Sequence, residues 1–127
     1  NIDKYPEVPI NFGGVISVAS YNEREAIAKH SNFGKTTVSF ATPGENIYST
    51  YPTYKGQSHK MMTGTSMAVA IATATTAVLS TIPYVAEKYN NPKNLIYSLC
   101  KKPEPKWKKY TKCGKLKLYD TYQHLLD

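Results

Sequence analysis

Arginine is nearly absent from this chain: Arg24 stands alone among sixteen basic residues, the rest being lysines. Bidentate recognition of phosphates and base edges favours the guanidinium fork, so the formal charge of +7 does not point to nucleic acid as a partner. Eight of the sixteen basic residues crowd between Lys101 and Lys117 against a single acid, Glu104. That distribution describes a solvated basic face, or one that meets an acidic partner. Cysteine is scarce as well. Cys100 and Cys113 lack C-x-x-C or Cys/His spacing, which argues against a zinc site. Either they close one disulfide loop, a cross-link worth roughly 3 kcal/mol in the chain-entropy account and suited to a secreted or otherwise oxidising compartment, or they pack as two free thiols.

Charge is missing altogether from residues 61–86. The run is long enough to span a membrane. Eight of its residues are Ser or Thr, however, and Gly64 and Pro83 interrupt it, so the expectation is a helix buried in an α/β core and no membrane partner. Ala68, Ala70, Ala72, Ala74 and Ala77 are small enough to let that helix lie close to a sheet. A leader is not evident either. The opening Asn1-Ile2-Asp3-Lys4-Tyr5-Pro6 has no initiator methionine and no basic segment before an apolar one, and reads as a mature or cut N-terminus. With 127 residues, the chain amounts to one domain or part of a larger one.

What is present reads as alternating strands and helices. Residues 1–14 are loop, punctuated by Pro6, Pro9, Gly13 and Gly14. Residues 15–20, 37–41 and 47–51 are predicted strands, and residues 53–60 an exposed polar connection. Asn91 and Pro92 form a helix entry, as N-cap and first helical residue, with Leu95, Ile96 and Leu99 as its apolar face. Leu116 and Leu118 alternate with lysines as an edge strand does, and Asp120 can cap a last helix carrying Tyr122, Leu125 and Leu126.

One segment carries chemistry. A serine hydroxyl becomes a useful nucleophile when a base takes its proton and fixed donors receive the developing oxyanion. Ser66, at the start of a predicted helix, has unpaired backbone N–H groups and the positive end of the helix dipole beside it, and Gly64 gives room for a sharp turn. The plainer reading is that Thr65 or Ser66 is a helix N-cap.

Gly64-Thr65-Ser66-Met67-Ala68 resembles the nucleophile motif of the subtilisin-like serine proteases, and the flanking segments follow that family's order. Residues 15–19 resemble its core strand, Ser31-Asn32-Phe33-Gly34 its S-N-aromatic-G turn, and Phe40-Ala41-Thr42-Pro43-Gly44 with Ile47-Tyr48-Ser49-Thr50 its A-P-G-x-x-I-x-S-T segment. Residues 114–120 resemble the strand that enters its terminal helix. The resemblance implies the C-terminal half of a subtilisin-like α/β fold, a mostly parallel sheet packed by helices, with residues 1–127 forming the portion of the catalytic domain that follows the Asp and His.

It further implies Ser66 as the nucleophile of an endopeptidase working through an acyl-enzyme. Met62, Thr63, Gly64, Thr42, Pro43 and Gly44 are then expected to line a protein or peptide substrate. In the family the chain order is Asp, His, oxyanion-hole Asn, then Ser, with subtilisin the reference case. No H-G-T-H motif occurs here, and His30, His59 and His124 stand outside the general-base context. Asp3 lacks the D-[ST]-G setting, and Asn1 is expected just beyond the oxyanion asparagine. The missing groups must come from an N-terminal half, as the same protein or a separate chain. In subtilisin, losing triad members lowers the rate by about 10⁴ to 10⁶, so this chain alone is expected to be close to inert.

The chemistry requires no cofactor. Calcium, which family members bind through loop carbonyls and carboxylates, would be a structural ion of the complete domain, since no acidic cluster here makes such a site. Two departures stand out. Ala70 replaces the family's proline and is expected to loosen the start of the helix, and Ala74 replaces a glycine, implying wider helix-to-sheet spacing. With the basic tail, they motivate an alternative: a catalytically dead module that keeps the fold and binds an acidic partner.

Overall fold

The computed structural model describes residues 1–10, 12–98, 104–116 and 123. Its elements run β1 (Val18–Tyr21), β2 (Phe40–Pro43), β3 (Ile47–Thr50), β4 (His59–Met62), α1 (Thr65–Ser80), α2 (Pro83–Lys88) and α3 (Pro92–Ser98), with 3₁₀ turns at Thr53–Lys55 and Pro105–Trp107. β1 and β2 pair in parallel, Val18 opposite Phe40 and Tyr21 opposite Pro43. β3 and β4 form an antiparallel hairpin. The second arm of that hairpin falls within and beyond the segment expected to be an exposed connection. His59–Met62 is exposed throughout and contains no β-branched residue, which is why its composition does not announce a strand.

Both parallel strands begin later than their β-branched runs predict. Ser17 and Ser39 explain the delay. The N–H of Ser17 donates to Ser39 Oγ at 3.2 Å, the N–H of Ser39 donates to Ser17 Oγ at 3.1 Å, and Ser17 Oγ donates to the Thr37 carbonyl at 2.6 Å. Side-chain bonds thus take up backbone donors just ahead of the regular ladder.

Alternation along the strands divides the core. One face of the parallel pair sends Phe40 against Ala72 of α1 and Ile96 of α3. The other sends Ala19 and Ala41 against Ile2 and Trp107, with Tyr21 and Tyr110 alongside. Residues 112–116 run beside the outer edge of β2: the Lys112 N–H donates to the Val38 carbonyl, that of Cys113 to Ser39, and that of Leu116 to Ala41, each at 2.8 Å. Where the edge strand is expected, the described residues form no strand but an isolated parallel bridge, Lys115 opposite Ala41. Leu118, the final helix and His124 lie outside the described residues, as do Leu99 and Cys100. Cys113 is disulfide-bonded.

Helix α1 departs from the expectation of burial. Ala68, Ala72, Thr75 and Leu79 are its buried residues, a single stripe, whereas Val69 and Val78 are 46% and 60% exposed. Ala68 and Ala72 meet the sheet as predicted, but Ala70, Ala74 and Ala77 do not. The physical reason is the width of the sheet: two parallel strands cover one side of a helix. Among the described residues, no strand pairs with the edge of β1 opposite β2, apart from a bridge between Tyr21 and Ile27. Asn91 does cap α3, its Oδ1 accepting the Asn94 N–H at 2.8 Å. No described helix is long and apolar enough to cross a membrane.

Candidate active site

The end of β2 and the start of α1 meet at two glycines. The Gly64 N–H donates to the Gly44 carbonyl at 2.8 Å, and the Gly44 N–H donates to the Tyr21 carbonyl at 3.2 Å. Between the two glycines the chain makes the β3–β4 excursion and returns. Asn46, at φ 53, turns it outward, with its N–H bonded to Thr63 Oγ1 at 3.0 Å and its amide nitrogen to Glu23 at 2.9 Å. The Asn46–Thr63 bond closes the base of the hairpin.

Gly64 itself is the N-cap of α1, in extended conformation. Its carbonyl accepts the N–H groups of Met67 at 3.1 Å and Ala68 at 3.4 Å, leaving those of Thr65 and Ser66 ahead of the first intrahelical bond. Ser66 is thus the second helical residue and not the cap. Its side chain is exposed and makes no hydrogen bond to a described residue, and no acidic side chain in the first turn offsets the helix dipole. Ser66 opens onto a cleft of 480 Å³ whose walls include Thr65, Ile16, Val18, His30, Asn32 and Val69.

Met62, at 40% exposed, and Thr63 are exposed at the end of the hairpin, just ahead of Gly64, and are not among the cleft's walls. Gly64 and Pro43 are partly exposed, while Gly44 is buried. Thr42 departs from the expectation of a substrate-facing side chain. It is fully buried, its Oγ1 donating to the Ala68 carbonyl at 2.7 Å. Alternation along β2 turns residue 42 toward the helix, which a motif match alone does not reveal. Ala70 is also corrected: as the sixth residue of α1 it lies past the unpaired first turn, so its N–H suits the regular ladder and does not loosen the helix start.

Neither described histidine bonds to Ser66. His30 lies 3.9 Å from Glu45, and His59 stacks on Tyr48 with ring centroids 5.3 Å apart. Asp3 is structural: its Oδ1 accepts the N–H of Thr37 at 2.9 Å and the hydroxyl of Thr36 at 2.9 Å. Burial raises the pKa of this carboxyl, yet the Thr37 and Thr36 hydrogen bonds outweigh it and bring the value down to about 2. Asn1 accepts the Asp3 N–H at 3.0 Å. Among the described residues, no three His, Cys, Asp or Glu side chains cluster to hold a metal.

The subtilase family pattern matches residues 1–96. Subtilisin-like protease 2 of Plasmodium falciparum (isolate 3D7) is 38% identical over 80 residues, covering 63% of this chain and 6% of that protein. Among solved structures, the self-cleaved protease domain of PatA superposes with a TM-score of 0.69 at 21% identity, over 94% of this chain and 44% of that one. The prenylagaramide maturation protease PagA gives 0.69 at 22% identity, over 93% and 44%. A structure of the subtilase cytotoxin SubAB gives 0.68 at 18% identity, over 93% and 42%. The chain thus spans a small fraction of the curated relative and less than half of each of these solved structures. With the family pattern across most of its length and the fold shared with these proteases, the chain belongs to the subtilase family.

Proposed function

We propose that residues 1–127 are the C-terminal portion of a subtilisin-like catalytic domain and that Ser66 is its nucleophile. The observation that carries this reading is the position of Ser66: exposed on a cleft, second in a 16-residue helix, beside backbone N–H groups that precede the first intrahelical bond. Ser66 Oγ attacks the scissile carbonyl while a histidine from the upstream half takes its proton. The tetrahedral oxyanion is received by the N–H groups at the helix start and by an asparagine from that half. Collapse forms the Ser66 ester, and the leaving amine departs with the proton. Water then hydrolyses the ester by the same route.

The exposed side of α1 and, among the described residues, the edge of β1 that no strand pairs support an upstream half as the partner, as does the limited coverage of the solved proteases. Met62, Thr63, Gly64 and Pro43, exposed or partly exposed near the start of α1 or the end of β2, are the groups this reading assigns to the peptide. Thr42 and Gly44 act from behind. No metal or cofactor takes part in the step, and calcium belongs to the complete domain if it binds. The disulfide at Cys113 supports a secreted or otherwise oxidising location.

Fluorophosphonate labelling of the full-length protein tests the assignment. The intact protein should label and hydrolyse peptides, and Ser66→Ala should do neither. Label retained by Ser66→Ala rejects Ser66 as the nucleophile. A folded, unlabelled and inactive wild-type protein favours the catalytically dead module that binds an acidic partner.

A further inference from the structure

We propose that Thr42 is a positioning residue, whose buried hydroxyl fixes the first turn of α1, and with it Ser66, against the end of β2. The inference rests on the reading of Ser66 as nucleophile.

Thr42 and Ala68 are both 0% exposed, and the 2.7 Å bond from Thr42 Oγ1 to the Ala68 carbonyl is a buried contact between β2 and the helix. The Gly64 N–H is bonded to Gly44 on the same stretch of chain. Residues 42 and 44 therefore grip residues 68 and 64, and Ser66 lies midway between the two attachments. A backbone held on both sides of one residue has little freedom to translate or tilt at that residue. The Ala68 carbonyl has two lone pairs, so it can accept the threonine hydroxyl and still serve the helical ladder. Packing alone does not explain the choice of residue: valine has nearly the same shape as threonine and would fill the space without a donor. Thr42 touches no substrate from its buried position. Its effect must pass through the placement of Ser66 Oγ relative to the base and the carbonyl, a geometry in which displacements of about 1 Å cost up to about a hundredfold in rate.

The test uses the full-length protein with Thr42→Val, Thr42→Ser and, as a smaller second variant, Thr42→Ala. Rates are expressed per folded site after thermal melts. Thr42→Val and Thr42→Ala are expected to lower kcat and the fluorophosphonate labelling rate by about tenfold to a hundredfold, with KM little changed, and Thr42→Ser is expected to restore most of the loss. A Thr42→Val protein with a wild-type kcat overturns the proposal. So does a loss accounted for entirely by a smaller folded fraction, or folding that fails in both variants lacking the hydroxyl, because either result assigns the bond to stability alone. Ser66→Ala, measured alongside, separates the two readings: activity retained there rejects the nucleophile, whereas activity lost there but unchanged in Thr42→Val rejects only the positioning role.

Discussion

Gly44 and Ser20 approach more closely than any side chain at position 44 would permit: a Cβ on Gly44 would stand 2.2 Å from Ser20 Oγ and 2.8 Å from the Gly64 carbonyl. Ser20 is fully buried, and its hydroxyl has no hydrogen-bond partner among the described residues. The glycine is therefore required by close approach and not by a left-handed turn. It lets β1, β2 and the start of α1 converge beneath Ser66.

Gly44→Ala is accordingly predicted to destabilise the full-length protein by about 1–3 kcal/mol, the usual cost of overpacking, and to slow fluorophosphonate labelling. Chemical denaturation and labelling kinetics measure the two effects. Adding Ser20→Ala removes the hydroxyl but leaves the Cβ of residue 20 at 2.9 Å and the Gly64 carbonyl at 2.8 Å, so rescue should be partial. Full rescue would show that the backbone contact is unimportant.

Asp3 links stability to acid. Its folded pKa of about 2 lies below the ordinary 3.8, so protons bind the unfolded chain more readily than the folded one. The stabilisation is complete above the unfolded pKa and disappears as pH falls from 3.8 toward about 2. Melting temperatures of wild type and Asp3→Asn should therefore differ at neutral pH and converge at the acid end of that window. Parallel curves across it would rule out the linkage.

Trp107 ties the C-terminal segment to the sheet. It is 1% exposed and meets Tyr21 and Tyr110 edge to face, with ring centroids 5.9 Å and 6.0 Å away. Trp107→Ala should cost about 3–5 kcal/mol in urea unfolding, with Trp107→Phe retaining part of the packing. A cost below about 1 kcal/mol would mean that residues 104–116 contribute little to the folded core.

The features legible in the sequence were those set by local chemistry. Asn91 before Pro92 identifies a helix start because a side-chain acceptor and a proline ring suit the same two positions in any fold. Residues 47–50 show their strand through alternation and β-branching. The strand at residues 59–62 is not legible there, because an exposed hairpin arm made of His, Lys and two Met has little apolar patterning of its own. The delayed starts of β1 and β2 were also hidden, since the Ser17–Ser39 exchange joins residues 22 apart.

At the site, the motif from Gly64 to Ala68 marks the helix and the family in the sequence itself and points to Ser66 as the candidate nucleophile, because a glycine–hydroxyl turn into a small-residue helix is a local pattern. Tertiary structure decided how neighbouring residues serve that helix. Thr42 turned inward, Gly44 became the contact that admits Ser20, and Ala70 settled into the regular ladder. Each outcome depends on which elements pack together and how closely, and packing distances between segments far apart in the chain are not encoded in any single short stretch.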